Sequence, residues 1–165
     1  MRPHDSRLST TAILLSRGIR CVVLHPDDDD GATLTNHLRR MGFKVQAFWP
    51  IPERLPADTD LIFYALQSDN PEPDVSWLNL SKHVLIAVIA YENPTFIDQT
   101  ISMGAGATIT TPIRSSGLLS AMVFALHHAQ QQRQMSDRIE RLEEKMLGIR
   151  QVSEAKAILM RMHSI

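Results

Sequence analysis

Cysteine, aromatic residues and any excess of one charge are all scarce in this chain. Its 165 residues include one cysteine, Cys21, so neither an internal disulfide nor a cysteine cluster for zinc can form. Lysine and arginine number 17 against 18 acidic residues, and the net charge of -1 removes the simplest argument for nucleic-acid binding. This composition predicts a protein of a reducing, cytoplasmic compartment.

Long hydrophobic runs are missing as well. Residues 12–15 are apolar, but Arg17 and Arg20 follow closely. A secretory signal needs an apolar stretch of about 7 to 15 residues, and a membrane span needs about 20. We therefore expect no contact with a membrane. The hydrophobic share of 44% is typical of a globular protein, and the length suits one domain with an appendage.

Short apolar runs recur between residue 20 and residue 110. They predict five strands, at 21–24, 44–48, 61–66, 84–90 and 107–110. Helical spacing predicts helices at 31–41 and from Pro94, with a weak candidate at 75–80. Continuous rather than alternating apolar runs favour strands covered on both faces. With right-handed crossovers, the order predicts an α/β fold, a flavodoxin-like, doubly wound sheet of five parallel strands.

The composition changes after about residue 115, where a long helix is predicted. Its apolar residues repeat at intervals of 4, 3, 4 and 3, which is the spacing of a coiled-coil seam. The predicted seam consists of Met135, Ile139, Leu142, Met146 and Ile149. In a parallel dimer, Arg138 faces Glu143 of a second copy, whereas Lys145 faces Arg150 and is repelled. We expect a homodimer through this seam.

No catalytic or metal-binding constellation emerges from the residues. The run Asp27 to Gly31 fails as a calcium loop, because the first and last ligand positions are Pro26 and His37. We interpret the aspartates as a solvated turn that caps the next helix. Cys21 lies in an apolar strand and is expected to be an inert core residue. No metal, no cofactor and no enzymatic activity are predicted.

The order of elements resembles the receiver domain of response regulators. Receivers carry an acidic pair after strand one, a phospho-accepting aspartate ending strand three, a hydroxyl on strand four, and Lys-Pro after strand five. Here the acidic positions are His25 and Pro26, and the acceptor position is Ala65. The hydroxyl position is Ile89, and the lysine position is Thr111. The resemblance implies a CheY-like pseudo-receiver that keeps the fold without the phosphorylation chemistry.

Further motifs narrow the resemblance to ANTAR-type antitermination regulators. The supporting motifs are WPIPE at 49–53, YENP at 91–94 and Thr111-Pro112. Residues 154–161, EAKAILMR, are similar to the first helix of the ANTAR RNA-binding domain, whose pattern is A-K-x-x-L-M. That domain has three helices, and the sequence ends at Ile165 within or just after the first.

The resemblance implies a domain order and a function. We expect an N-terminal segment at 1–18, a pseudo-receiver at 19–130, a coiled-coil helix at 131–150 and the start of an ANTAR domain at 151–165. The implied function is transcription antitermination through binding of leader RNA, with Lys156 and Arg161 as weak RNA contacts. One alternative is a dimeric interaction module that binds a ligand-sensing regulatory protein without RNA. An enzyme is the remaining alternative, and no acid-base pair supports it.

Overall fold

The computed structural model describes residues 9–16, 18–69, 74–79 and 82–163. It divides into two compact units, Met1–Ala129 and Gln130–Ile165. The elements are α1 (Thr10–Ser16), β1 (Arg20–Leu24), α2 (Asp29–Arg40), β2 (Lys44–Phe48), β3 (Leu61–Ala65), β4 (Val84–Ile89), α3 (Pro94–Ser102), β5 (Ala107–Thr110) and α4 (Leu118–His163).

All five strands form one parallel sheet in the order β2-β1-β3-β4-β5. This arrangement confirms the predicted flavodoxin-like, doubly wound fold. Every residue of β3 and β4 is buried, which explains their unbroken apolar sequences. The edge strands β2 and β5 are only partly covered.

Two apolar clusters cover the two faces of the sheet. On one face, Leu34 and Leu38 of α2 and Leu118 and Met122 of α4 pack on the strands. On the other face, Phe96 of α3 is joined by residues of the connections after β2 and β3. The described residues of these connections that pack on the sheet are Ile51, Leu55, Val75, Trp77 and Leu78, on the α3 side.

The two helix starts follow the sequence signals. Asp28 caps α2, since its Oδ1 accepts a hydrogen bond from the Gly31 N–H at 2.9 Å. Asn93 caps α3 in the same way, accepting from the Phe96 N–H at 2.7 Å, and Pro94 is the first helical residue. Capping of α2 by the aspartate run is confirmed, but the cap is Asp28, and Asp29 and Asp30 lie in the first turn of the helix.

The predicted helix at 75–80 is wrong. Residues 74–79 form turns instead, and Leu80 lies outside the described residues. The Asp74 carboxylate accepts from the Ser76 N–H at 2.9 Å, and the Trp77 Nε1–H donates to the Asp74 carbonyl at 2.8 Å. Such local side-chain bonds compete with helix formation, and they hold Trp77 and Leu78 against the α3-side cluster.

The second unit is the C-terminal part of α4. Its residues from 131 to 163 are helical and exposed. The predicted long C-terminal helix is therefore confirmed, as far as His163. Within the described residues, none of the helices combines the length and the apolarity that crossing a membrane requires.

Candidate functional site

The carboxyl ends of parallel strands meet at one edge of the sheet, and ligands of such folds bind there. His25 follows β1 and Ala65 ends β3. Ile89 ends β4, and Thr111 follows β5. The fold thus places four of the five receiver positions predicted from the sequence at strand ends, with Pro26 next to His25.

His25 occupies an almost closed position beside the start of α2. Its side chain is only 6% exposed, and its Nδ1 lies 2.9 Å from the Pro26 carbonyl oxygen and 3.3 Å from Asp28 Oδ1. The Pro26 carbonyl also accepts from the Asp28 N–H at 2.8 Å. His25 and Pro26 therefore serve to shape the turn that leads into α2.

The aspartates after this turn are structural where their contacts are defined. Asp28 caps α2, as described above. Asp30 Oδ1 accepts a hydrogen bond from the Ile113 N–H at 3.2 Å, across 83 residues of sequence. This bond ties the first turn of α2 to the connection between β5 and α4.

The positions at the ends of β3 and β4 carry hydrocarbon side chains. Ala65 is 3% exposed, and its methyl group belongs to the cluster under α2 and α4. Ile89 is completely buried in the opposite cluster, under α3. Neither side chain can accept a phosphoryl group or coordinate Mg²⁺, because both functions need an oxygen ligand.

Thr111 and Pro112 form the remaining strand end. The Thr111 N–H donates to the Ile89 carbonyl at 3.0 Å, and the peptide bond to Pro112 is cis. A cavity of about 360 Å³ adjoins them and is also lined by Glu92 and Arg114. Thr111 supplies a hydroxyl at the position where the resemblance to receivers implies a lysine, and the cation that lines this cavity is Arg114 instead.

Cys21 is the one thiol of the chain and lies in the core of β1. It is 2% exposed. Burial raises the pKa of the Cys21 thiol to about 12, and the nearby Asp60 carboxylate acts in the same direction. In the described part of the chain, no group of three histidine, cysteine or acidic side chains is placed to hold a metal ion.

The seam residues lie on the exposed part of α4. Met135, Ile139, Leu142, Met146 and Ile149 are 54% to 67% exposed. Lys156 and Arg161 are exposed further along the same helix. An apolar row of this length on a solvated helix is a surface that gains free energy when another helix covers it.

Comparisons with known proteins show the family to which the receiver-like part of the chain belongs. Residues 19–126 match the family model described as "AmiR, N-terminal". The chain belongs to the AmiR N-terminal family. It is also 26% identical over 160 residues to the aliphatic amidase regulator of Pseudomonas aeruginosa. The alignment covers 94% of this chain and 82% of that relative.

Solved structures share the fold. A response regulator from Thermotoga maritima is 18% identical and covers 66% of this chain and 98% of its own, with a TM-score of 0.51. A fusion carrying the trimeric coiled coil of yeast Spc42 is 11% identical and covers 83% of this chain and 97% of its own, with a TM-score of 0.55. The AmiR-type domain therefore has a receiver fold.

The sequence interpretation missed the contact between Asp30 and Ile113. It treated the four aspartates as one solvated turn, whereas Asp30 accepts a hydrogen bond from the connection between β5 and α4. No local pattern carries this information, because the two residues meet only once β5 is in the sheet.

Proposed function

We propose that this chain is a regulator of transcription antitermination whose receiver-like domain works without phosphorylation. The observation that carries the proposal is the hydrocarbon at the acceptor position, Ala65, in a domain of the AmiR family. Similarity to an aliphatic amidase regulator supports a regulatory role rather than an enzymatic one. The proposed site of action is the cytoplasm, where nascent RNA is made.

The first step is that input reaches the domain through protein contact instead of phosphate. Ala65 provides no carboxylate, and His25 and Pro26 replace the acidic pair. The test is incubation with acetyl phosphate and Mg²⁺, followed by intact-mass measurement, with an ordinary receiver as positive control. We expect no added mass of about 80 Da, the mass of a phosphoryl group. A phosphorylated aspartate in this chain would contradict the proposal.

The second step is that two copies pair through the seam of Met135, Ile139, Leu142, Met146 and Ile149. Similarity to a fusion containing a coiled coil, over 83% of this chain, supports oligomerisation. Leu142 lies on the seam and is 55% exposed, whereas Leu147 lies off the seam and is 58% exposed. This matched pair separates pairing from general loss of apolar surface.

Light scattering over a concentration series tests the pairing. We expect Leu142→Asp to be monomeric at concentrations where the unchanged chain and Leu147→Asp are dimeric, because a carboxylate in the seam has no partner. A monomeric unchanged chain at high micromolar concentration would remove the dimer from the proposal. Equal effects of both variants on dimer formation would contradict the assignment of the dimer contact to the seam.

The third step assigns RNA binding to the segment that begins at residue 151. The EAKAILMR sequence supports an ANTAR helix there, with the exposed Lys156 and Arg161 available to phosphates. The test measures binding of the gene's full product to a pool of RNA hairpins at fixed salt, with single-stranded RNA of equal length as control. We expect a preference for hairpins that Lys156→Ala with Arg161→Ala weakens. Equal binding to both RNAs would contradict it.

A second candidate function is protein binding without RNA. The observation that favours it is Phe124, an aromatic side chain of the first unit that is 72% exposed. The partner would be a ligand-sensing regulatory protein. Retention of such a partner on immobilised chain, lost in Phe124→Ser and changed by the inducing ligand, would support this candidate. Absence of any partner under all ligand conditions would contradict it.

A further inference from the structure

A groove of about 430 Å³ lies between α2 and the edge strand β2. Val23 and Ala47 contribute apolar surface, while Asn36, Arg39 and Trp49 line it with hydrogen-bond donors. Its volume falls within the range of sites that bind small molecules and short peptide segments. The receiver positions discussed above do not explain this groove, since only His25 and Pro26 touch it.

The strand beside the groove has an unpaired edge. β2 pairs with β1 alone, and the Lys44 N–H donates to the Ile19 carbonyl at 3.3 Å. In a parallel ladder, alternate residues turn to the same neighbour, so Val45 and Ala47 direct their N–H and C=O groups outward. No strand pairs with this edge in the described part of the chain. Such an edge is a template for an added strand.

The polar groups of the groove are also available. Across the described residues, the Asn36 amide, the Arg39 guanidinium and the Trp49 indole make no hydrogen bond or ion pair. At the other end of the sheet, by contrast, Arg20 is paired with Asp58 at 2.6 Å. The lining has two charged residues at opposite ends of α2, Asp27 before its start and Arg39 in its last turn. The part of the groove beside Arg39 therefore presents an unpaired cation next to unpaired backbone groups.

We propose that the β2 edge and this groove bind an extended, acidic peptide segment of another protein. The segment adds a strand beside β2 and bonds the outward groups of Val45 and Ala47, as in other cases of strand addition. A carboxylate of the segment pairs with Arg39, and an apolar side chain packs on Ala47 and Trp49. A row of backbone donors and acceptors fits a peptide better than a small molecule. The proposal does not depend on the seam or on RNA.

The experiment selects peptides from a random twelve-residue library displayed on phage, with the unchanged chain as target. Two variants then test the binding of the enriched peptides. Ala47→Pro removes an outward N–H without removing a bond to β1, and Arg39→Glu reverses the charge. The control is Thr108→Pro in the opposite edge strand, β5. The Thr111 N–H donates to the Ile89 carbonyl of β4, and successive residues of a strand alternate in direction, so the Thr108 N–H points away from β4.

We expect acidic sequences whose dissociation constants rise at least tenfold in Ala47→Pro and in Arg39→Glu, and less than twofold in Thr108→Pro. In the unchanged chain, hydrogen exchange of the Val45 and Ala47 amides should slow at least tenfold on peptide binding. This second measurement remains decisive if Ala47→Pro does not fold.

Three outcomes would overturn the proposal. The first is that the library yields no binding peptide. The second is that the enriched peptides require Arg39 but leave the exchange of the Val45 and Ala47 amides unchanged, which would indicate a small-molecule type of site. The third is that Ala47→Pro abolishes self-association in light scattering, which would make a second copy of this chain the occupant of the edge.

Discussion

Gly31 is the residue whose replacement tests the architecture around His25 most directly. It lies in the first turn of α2, and a Cβ atom built on it would lie 2.7 Å from the Pro26 carbonyl oxygen and 2.9 Å from His25 Nδ1. Both distances are shorter than real Cβ contacts. The Pro26 oxygen belongs to the backbone of the capping turn, so it cannot rotate away as a side chain could. Gly31→Ala must therefore displace the turn or the helix.

The expected magnitude follows from two opposing contributions. In an open helical position, Gly→Ala stabilises a helix by up to about 1 kcal/mol. Forcing an extra methyl group into a packed site typically destabilises a fold by about 1–3 kcal/mol. Because backbone must move here, we expect the upper part of that range and a net loss of about 1–2 kcal/mol. At roughly 4 °C per kcal/mol for a unit of this size, the melting temperature should fall by about 4–8 °C.

Thermal unfolding followed by circular dichroism measures this change. Gly148→Ala is the matched control, because it places the same methyl group in a helix with nothing within 4 Å. We expect the control to hold or raise helicity while Gly31→Ala lowers the melting temperature. An unchanged or higher melting temperature for Gly31→Ala would refute the close approach of His25 and Pro26 to α2.

Three further predictions concern the core, the cap and the thiol. Ile86→Ala should destabilise the domain by about 2–5 kcal/mol in urea unfolding, because Ile86 is fully buried. The control Ile101→Ala, at a side chain that is 70% exposed, should change the free energy of unfolding by less than about 0.5 kcal/mol. Similar losses in the two variants would contradict the assigned burial. Asp28→Ala should cost about 1 kcal/mol by removing the cap of α2, while Asp28→Asn should retain most of it. Cys21 should resist iodoacetamide at pH 8 until the chain unfolds, and rapid labelling of the native chain would contradict its burial. Since the folded thiol has a pKa of about 12 and the unfolded reference is 9.0, the stability it contributes is complete below pH 9 and is lost as pH rises toward 12.

Several features of the fold could be read from local sequence. The runs at 61–65 and 84–89 are apolar at every position. This pattern is typical of strands covered on both faces, and every residue of both strands is buried in the structure. Asn93-Pro94 predicts a helix start. The asparagine side chain accepts a hydrogen bond from a backbone N–H of the first turn, and proline has no backbone N–H that would lack a partner there. The placement of His25, Ala65, Ile89 and Thr111 at strand ends was also predictable, because the ends of the apolar runs are visible in the sequence.

The helix expected at 75–80 shows where prediction from local sequence fails. Val75 and Leu78 have helical spacing, but Asp74 bonds Ser76 and Trp77 in a turn, and packing against the α3-side cluster stabilises that arrangement. Helical spacing is a weak preference in so short a segment, and a few tertiary contacts are enough to override it.

The sequence by itself determined the parallel five-stranded fold, the long C-terminal helix and the hydrocarbon side chain of Ala65 at the end of β3. These follow from residue type and spacing, which act over a few residues. Only the tertiary structure decided that Asp30 holds Ile113, that Gly31 must lack a side chain beside His25, and that Arg39 lies next to the open edge of β2. Each of these depends on residues from separate elements, and their proximity is set by how the helices pack on the finished sheet.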